Sequence, residues 1–216
     1  METVTSRVPD MRYASDHKQK SRLQILEMAG REFRLRGFDG IGVDGLMAAA
    51  ELTSGAFYGH FRSKRTVIAE VVKAGLDRLK NGILRTQARD REGWLRAFAE
   101  RYLGDAHRRD IAGGCALPSL SGDVVRADAA TRADYQAGLL DAARTMAAAP
   151  PFCRFPDGER RALAVLLTLA GGTLLARAVG EEEIGREIAA AAALAIAAVA
   201  GGPPPRPPAP PDAKDA

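Results

Sequence analysis

The chain has 216 residues, of which 46% are hydrophobic and 27% charged; that is enough apolar material for a sizeable core, so disorder is not the starting expectation. The net charge of +4 is a modest basic bias, compatible with nucleic acid without requiring it. The bias is uneven: residues 1–65 hold eleven Lys and Arg against eight Asp and Glu, so three of the four net charges lie there.

Residues 1–17 are polar and irregular and read as a flexible arm, with no apolar segment of the kind a signal peptide needs. From Lys18 the pattern turns helical. Leu26, Ala29 and Phe33 share one apolar face with Ile25 beside it. Gly37, after Arg36, is placed to end this helix because glycine reaches the left-handed conformation at little cost. Lys18, Lys20 and Arg22 at its start suit either a solvated face or phosphate contact. FDGIG at 38–42 is a loop, and residues 43–50 make about two helical turns. Asp44 there faces the positive end of the helix dipole, and Leu46 and Ala50, four apart, are core partners. Thr53 or Ser54 offers a hydroxyl to cap the next short helix. In that helix Phe57 and Phe61 anchor to the core, which turns Ser54, Gly55, Tyr58 and Gly59 outward. Small side chains let a helix backbone approach base edges, and Tyr58 has the reach for a phosphate.

A long helix is predicted from Ser63 to about Leu84, with Val67, Ile68, Val71, Val72, Leu76, Leu79 and Ile83 as its apolar stripe. Its start carries Arg62, Lys64 and Arg65, the wrong sign for a helix N-terminus. A DNA phosphate docked there removes the conflict, because the backbone N–H groups and the cations then face one anion.

Residues 20–70 resemble the DNA-binding domain of the TetR family of bacterial repressors. The residues that carry the resemblance are RGF at 36–38, LTSGAFYGHF at 52–61 and SK at 63–64. It implies an all-α fold in which an N-terminal three-helix, helix-turn-helix domain is joined by a long helix to a C-terminal helical ligand-binding and dimerisation domain. It also implies that Thr53, Ser54 and Gly55 approach bases while Tyr58, His60 and Lys64 hold the phosphate backbone, beside the Arg62 already placed there by the cation argument. The chain departs from the family in the turn between the two short helices, where Glu51 replaces the usual glycine. A non-glycine residue in a left-handed turn costs about 1–2 kcal/mol.

Beyond residue 85 the chain stays helical. Residues 91–107 place Trp94 or Leu95, then Phe98 and Tyr102, on adjacent turns, the aromatics serving as core or as the wall of an effector site. Residues 108–115 form a loop, Pro118 suits the first turn of the next helix, and an Ala-rich helix over 129–149 carries Tyr135 and Met146. After a proline-containing loop at 150–158 come two Ala-, Leu- and Gly-rich helices at about 159–179 and 182–200. So much apolar surface on two terminal helices calls for a partner, and a two-fold four-helix bundle supplies one. The resemblance implies the same homodimer. The resulting division is an arm (1–17), a helix-turn-helix domain (18–65), an effector and dimerisation domain (66–200) and a proline-rich disordered tail (201–216).

Two cysteines, Cys115 and Cys153, are too few for a disulfide framework and point to a reducing, cytoplasmic setting. GGCALPSLSGDVVRAD at 113–128 resembles a TetR subgroup typified by the N-ethylmaleimide-responsive repressor, in which a Gly-Cys pair ahead of a helix senses electrophiles. A helix dipole stabilises a thiolate at that position, so Cys115 is either a switch or a buried structural residue. The competing switch is a small apolar ligand among Trp94, Phe98, Tyr102 and Tyr135. Operator DNA, a second copy of the chain, and a small molecule or electrophile are the implied partners; no cofactor or metal is implied. An enzyme using Cys115 with His107 lacks any nearby group to orient the histidine. A membrane-associated protein is the third reading, but the apolar run at 162–176 falls short of the ~20 residues that a crossing needs.

Overall fold

The computed structural model describes residues 11–201, with side chains from residue 18. Among the described residues every regular element is helical. They fall into two compact units, one holding the chain up to Leu79 together with Asp110–Leu139, the other holding Lys80–Arg109 and the chain from Leu140. By compactness the first break falls after Leu79, and residues 110–139 group with the N-terminal helices. The proline-rich tail beyond Gly201 and residues 1–10 of the arm lie outside the described residues.

In the first unit, α1 (Met11–Arg36) begins seven residues earlier than the apolar pattern shows. Residues 11–17 are therefore helical backbone, not irregular arm, because polar residues carry no periodicity to read. α1 ends as expected at Gly37, whose φ of 75° is open to glycine and whose N–H donates to the Phe33 carbonyl at 2.9 Å. Two short helices follow, α2 (Val43–Ala49) and α3 (Ser54–Phe57), then α4 (Lys64–Arg89), which ends five residues later than predicted. Their apolar faces meet in one core of Ile25, Ala29, Phe33, Leu46, Met47, Phe57, Phe61, Val67 and Val72, each buried. Further along the chain, α7 (Ala116–Val125) packs on α1, and the first half of α8 (Ala129–Ala147) lies in the same unit. Gly75 of α4 makes the approach of α7 possible: a Cβ there would stand 2.6 Å from the Ala116 Cβ.

The second unit holds the end of α4, α5 (Trp94–Leu103), α6 (Asp105–Arg109), the second half of α8, a 3-10 turn (Phe152–Arg154), α9 (Gly158–Ala178) and α10 (Glu182–Gly201). The single helix expected over 91–107 is two helices broken at Gly104, whose extended backbone interrupts the turn. Trp94, Phe98, Phe152, Met146, Val165, Leu166 and Leu169 form the core, and the Trp94 Nε1–H donates to the Pro150 carbonyl at 2.5 Å. α9 and α10 lie against each other so closely that a Cβ on Gly172 would meet the Ala192 Cβ at 2.7 Å. Buried Arg161 ties the pair together, bonding Asp157 at 2.9 Å and the Val199 carbonyl at 2.7 Å. At 21 and 20 residues, both helices have the length and composition of a membrane span, more than the 15-residue run in the sequence suggests.

Candidate nucleic-acid interface

α2 ends and α3 begins within four residues, and the backbone of that turn is fully bonded. The Leu52 N–H donates to the Met47 carbonyl and the Glu51 N–H to the Ala48 carbonyl, at 2.9 and 3.0 Å. This is a Schellman motif with Glu51 in the left-handed position, at φ 55°. The turn therefore keeps the glycine geometry without the glycine. Gln24 of α1 secures the same end of α2 by donating to the Ala50 carbonyl at 2.7 Å.

Thr53 occupies the N-cap of α3, but its hydroxyl makes no capping bond, contrary to the expected role. The helix is a single turn held by Phe57, fully buried, and by Phe61 at 3% exposure, so hydrophobic anchoring replaces the cap. Ser54, Gly55, Tyr58 and Gly59 face solvent as predicted, Thr53 is exposed beside them, and nothing lies within 4 Å of where a Gly55 Cβ would be. Tyr58 is 70% exposed and stands edge-on to the Phe57 ring. His60 is half-buried beside Phe61.

The hydroxyl cap appears one helix later: Ser63 Oγ accepts the Thr66 N–H at 3.3 Å at the start of α4. No acidic residue lies in the first turn of α4. Arg62 and Arg65 are exposed there. Lys64 is not directed outward: its ammonium donates to the Phe38 and Ile41 carbonyls at 2.7 and 2.9 Å and lies 4.1 Å over the Phe38 ring. Arg22 likewise turns inward, over the Phe61 ring and onto both carboxylate oxygens of Glu70 at 2.6 Å. Lys18 and Lys20 remain exposed. Arg65 also lines a cavity of about 160 Å³ with Asp39, Asp123, Arg126 and Asp128. Asp128 caps α8 by accepting the Thr131 N–H at 2.8 Å, and that bond, helped by Arg65, holds its carboxyl below the usual range.

The expected effector residues belong to two different units. Trp94, Phe98 and Tyr102 are core residues of the second, 0–6% exposed and stacked along α5. An apolar groove of about 530 Å³ in that unit is lined by Leu95, Ala99, Pro151, Ile196 and Ala197 among others, and none of the three aromatics reaches it. Cys115 and Tyr135 belong to the first unit. Cys115 is half-buried at the N-cap of α7, and the Tyr135 hydroxyl hydrogen-bonds Ser121 at 2.6 Å. Burial, with Cys115 adding to it, raises the Tyr135 phenol.

Sequence reasoning missed one member of this group, Arg34 of α1, which is 6% exposed. Burial first and then Arg78 lower its guanidinium to about 10, with Cys115 and Asp110 acting the other way. The signal was an arginine next to Phe33 on the apolar face, four residues after Gly30, to whose carbonyl it donates at 2.5 Å.

Two short helices joined by a bonded turn, the second presenting small residues beside exposed cations, form a helix-turn-helix. Residues 25–71 match the model of the bacterial regulatory proteins, tetR family, so the chain carries that family's N-terminal domain. Solved structures share the fold over most of the chain. Reduced NemR of E. coli is 20% identical, covering 80% of this chain and 95% of its own, with a TM-score of 0.66. A TetR-family regulator from Agrobacterium tumefaciens is 15% identical, covering 82% and 97%, with a TM-score of 0.69. SmeT in complex with triclosan is 22% identical, covering 88% and 100%, with a TM-score of 0.59. Among curated proteins no relative matches.

Proposed function

We propose that the chain is a cytoplasmic repressor that binds a palindromic operator as a homodimer and releases it on a chemical signal. The observation that carries the reading is the outward face of Thr53, Ser54, Gly55 and Tyr58 next to the exposed Arg62 and Arg65 at an α4 terminus with no acidic residue. In this reading Thr53, Ser54 and Gly55 meet base edges, and Tyr58, His60 and Arg62 meet phosphates. Lys64 acts indirectly, by holding the 38–41 loop against α4. A stripe of exposed Leu167, Leu174 and Leu175 on α9 supports dimerisation, which spaces two α3 helices for half-sites about one DNA turn apart.

Two observations bear on the release signal. The half-buried Cys115 at the head of α7 supports an electrophile or oxidant. The apolar groove of the second unit supports a small apolar molecule, the kind of ligand that SmeT holds as triclosan.

Selection of binding sites from random duplex DNA by the full-length protein tests the DNA reading. The expected result is one palindromic consensus whose affinity falls steeply with salt. Tyr58→Phe weakens binding about tenfold, the scale of one lost bond to a charged group, and leaves the melting temperature alone. Enrichment of no consensus removes the reading. For the switch, a Cys115→Ser protein that still releases DNA on treatment with quinone or hypochlorite rules out the cysteine and leaves the groove.

A further inference from the structure

The most unusual group in the first unit is the buried guanidinium of Arg34. Its Nη1 serves the Gly30 carbonyl, but Nε and Nη2 are buried without a hydrogen-bond partner. A guanidinium at this depth is costly, and an apolar side chain of similar size is often neutral or better for stability. Packing alone therefore gives no reason for it. Its position gives one. A single point beside Gly75 of α4 lies 2.6 Å from the Ala116 Cβ and 3.4 Å from Arg34 Nη2. The guanidinium thus stands at the first residue of α7, the ten-residue helix whose N-cap is Cys115. Arg78, Asp110 and Tyr135 are the other titratable groups coupled to this pair. The α7 N-terminus and the Arg34 fork both place positive potential at the head of α7, where Cys115 is the N-cap.

We propose that Arg34 is the positioning residue of a redox site at Cys115: it holds the sulfur as thiolate for attack on a hydroperoxide and then binds the oxygen that the sulfur gains. The inference rests on reading Cys115 as the release switch, and it names the class of signal and the route by which that signal reaches the DNA reader. The step balances. The thiolate attacks one peroxide oxygen, an S–O bond forms as the O–O bond breaks, and the second oxygen leaves as hydroxide (alkoxide from an organic hydroperoxide), which takes the proton of the new sulfenic acid to become water or the alcohol. Sulfur gives up two electrons to the peroxide, and the product is a sulfenate. Its new oxygen is an anionic acceptor for Nε and Nη2. Because Arg34 belongs to α1, and Gln24 of α1 holds the carbonyl end of α2, a shift of the guanidinium displaces the helix that frames the reader.

The test uses the full chain with the exposed second thiol removed, Cys153→Ser. The rate of iodoacetamide alkylation is followed against pH, with sulfenate trapping after hydrogen peroxide and operator binding measured on the same samples. The parent is expected to react with a midpoint below the ~8.5 of an ordinary cysteine. Arg34→Leu raises that midpoint by about one unit, the lower end for loss of a nearby opposite charge, and slows sulfenate formation about tenfold near neutral pH. Arg34→Lys, which keeps the charge, holds the midpoint low. A parent midpoint at or above the ordinary value overturns the proposal even if Arg34→Leu does not fold, as does a folded Arg34→Leu whose midpoint is unmoved. A reduced protein that binds its operator while its thiol ignores Arg34 leaves the repressor reading intact and removes this one. A depressed midpoint in a protein that selects no DNA does the reverse.

Discussion

The ammonium of Lys64 stands 2.7 Å from the carbonyl oxygen of Phe38 and 4.1 Å over the ring of the same residue. With its second bond, to Ile41, it pins the loop between α1 and α2 onto the first turn of α4. A lysine placed by sequence on a phosphate is therefore committed within the protein. Lys64→Met is expected to lower stability by about 2 kcal/mol, since bonds to a charged donor are worth roughly 1.5–3 kcal/mol each and part is recovered by packing. The discriminating measurement is the salt dependence of operator binding. A direct phosphate contact contributes about 0.9 to the slope of log affinity against log salt. The slope should not change in Lys64→Met, whereas Arg62→Met should reduce it by about that amount.

Glu51 is the residue in the reader that breaks a local rule. Its φ of 55° closes a fully bonded Schellman turn, so the strain is local to one residue and stabilises nothing else in view. Glu51→Gly should relieve about 1 kcal/mol of it, partly offset by the added freedom of glycine in the unfolded chain, and raise the melting temperature by a few degrees. It should also tighten DNA binding slightly by removing an exposed carboxylate. A drop in melting temperature would show that the Glu51 side chain makes a stabilising interaction in solution.

The frame of the reader was legible because its signals are local. Phe57 and Phe61 four apart fix which face of α3 is buried, and Gly37 marks a turn that needs a positive φ; the positive φ at Glu51 was expected only from the family resemblance. The direction of the cations was not legible. Arg22, Arg34 and Lys64 all turn inward, toward Glu70, the head of α7 and two loop carbonyls. Those partners lie 48, 82 and 26 residues away in the chain, counting Ala116 for Arg34, and no helical period encodes them. The missed cap at Thr53 has a similar cause. A hydroxyl before a helix is a permissive signal, and two buried aromatics had already fixed the turn.

Asp128 offers a way to alter the charge around the reader without touching it. Its carboxylate caps α8 and draws on Arg65, one of the exposed cations at the head of α4. Asn keeps the capping oxygen and removes the charge. Asp128→Asn should leave the fold unchanged and release Arg65 toward DNA, so that operator affinity rises at low salt and the gain disappears at high salt. Gel shifts across a salt series check this; affinity unchanged at low salt would mean that Arg65 does not face the DNA.

The last prediction concerns α9. Leu167, Leu174 and Leu175 are 69%, 51% and 59% exposed and recur at intervals of seven and eight, so they form one stripe on a helix whose other side is packed against α10. Three large aliphatic side chains in a row on one helix are more apolar surface than scattered single exposures explain. If a second copy covers the stripe, a charge in its middle must be expelled from the interface. Leu174→Glu should then give a folded monomer in analytical ultracentrifugation, because the site is exposed within the single chain and the substitution disturbs no core contact. A monomer loses the coupling between half-sites. Binding to the full palindrome should fall toward the affinity for one half-site, while half-site affinity itself stays constant, since the α3 face is unaltered. A Leu174→Glu protein that remains dimeric would place the dimer contact elsewhere and free the α9 stripe for a different partner.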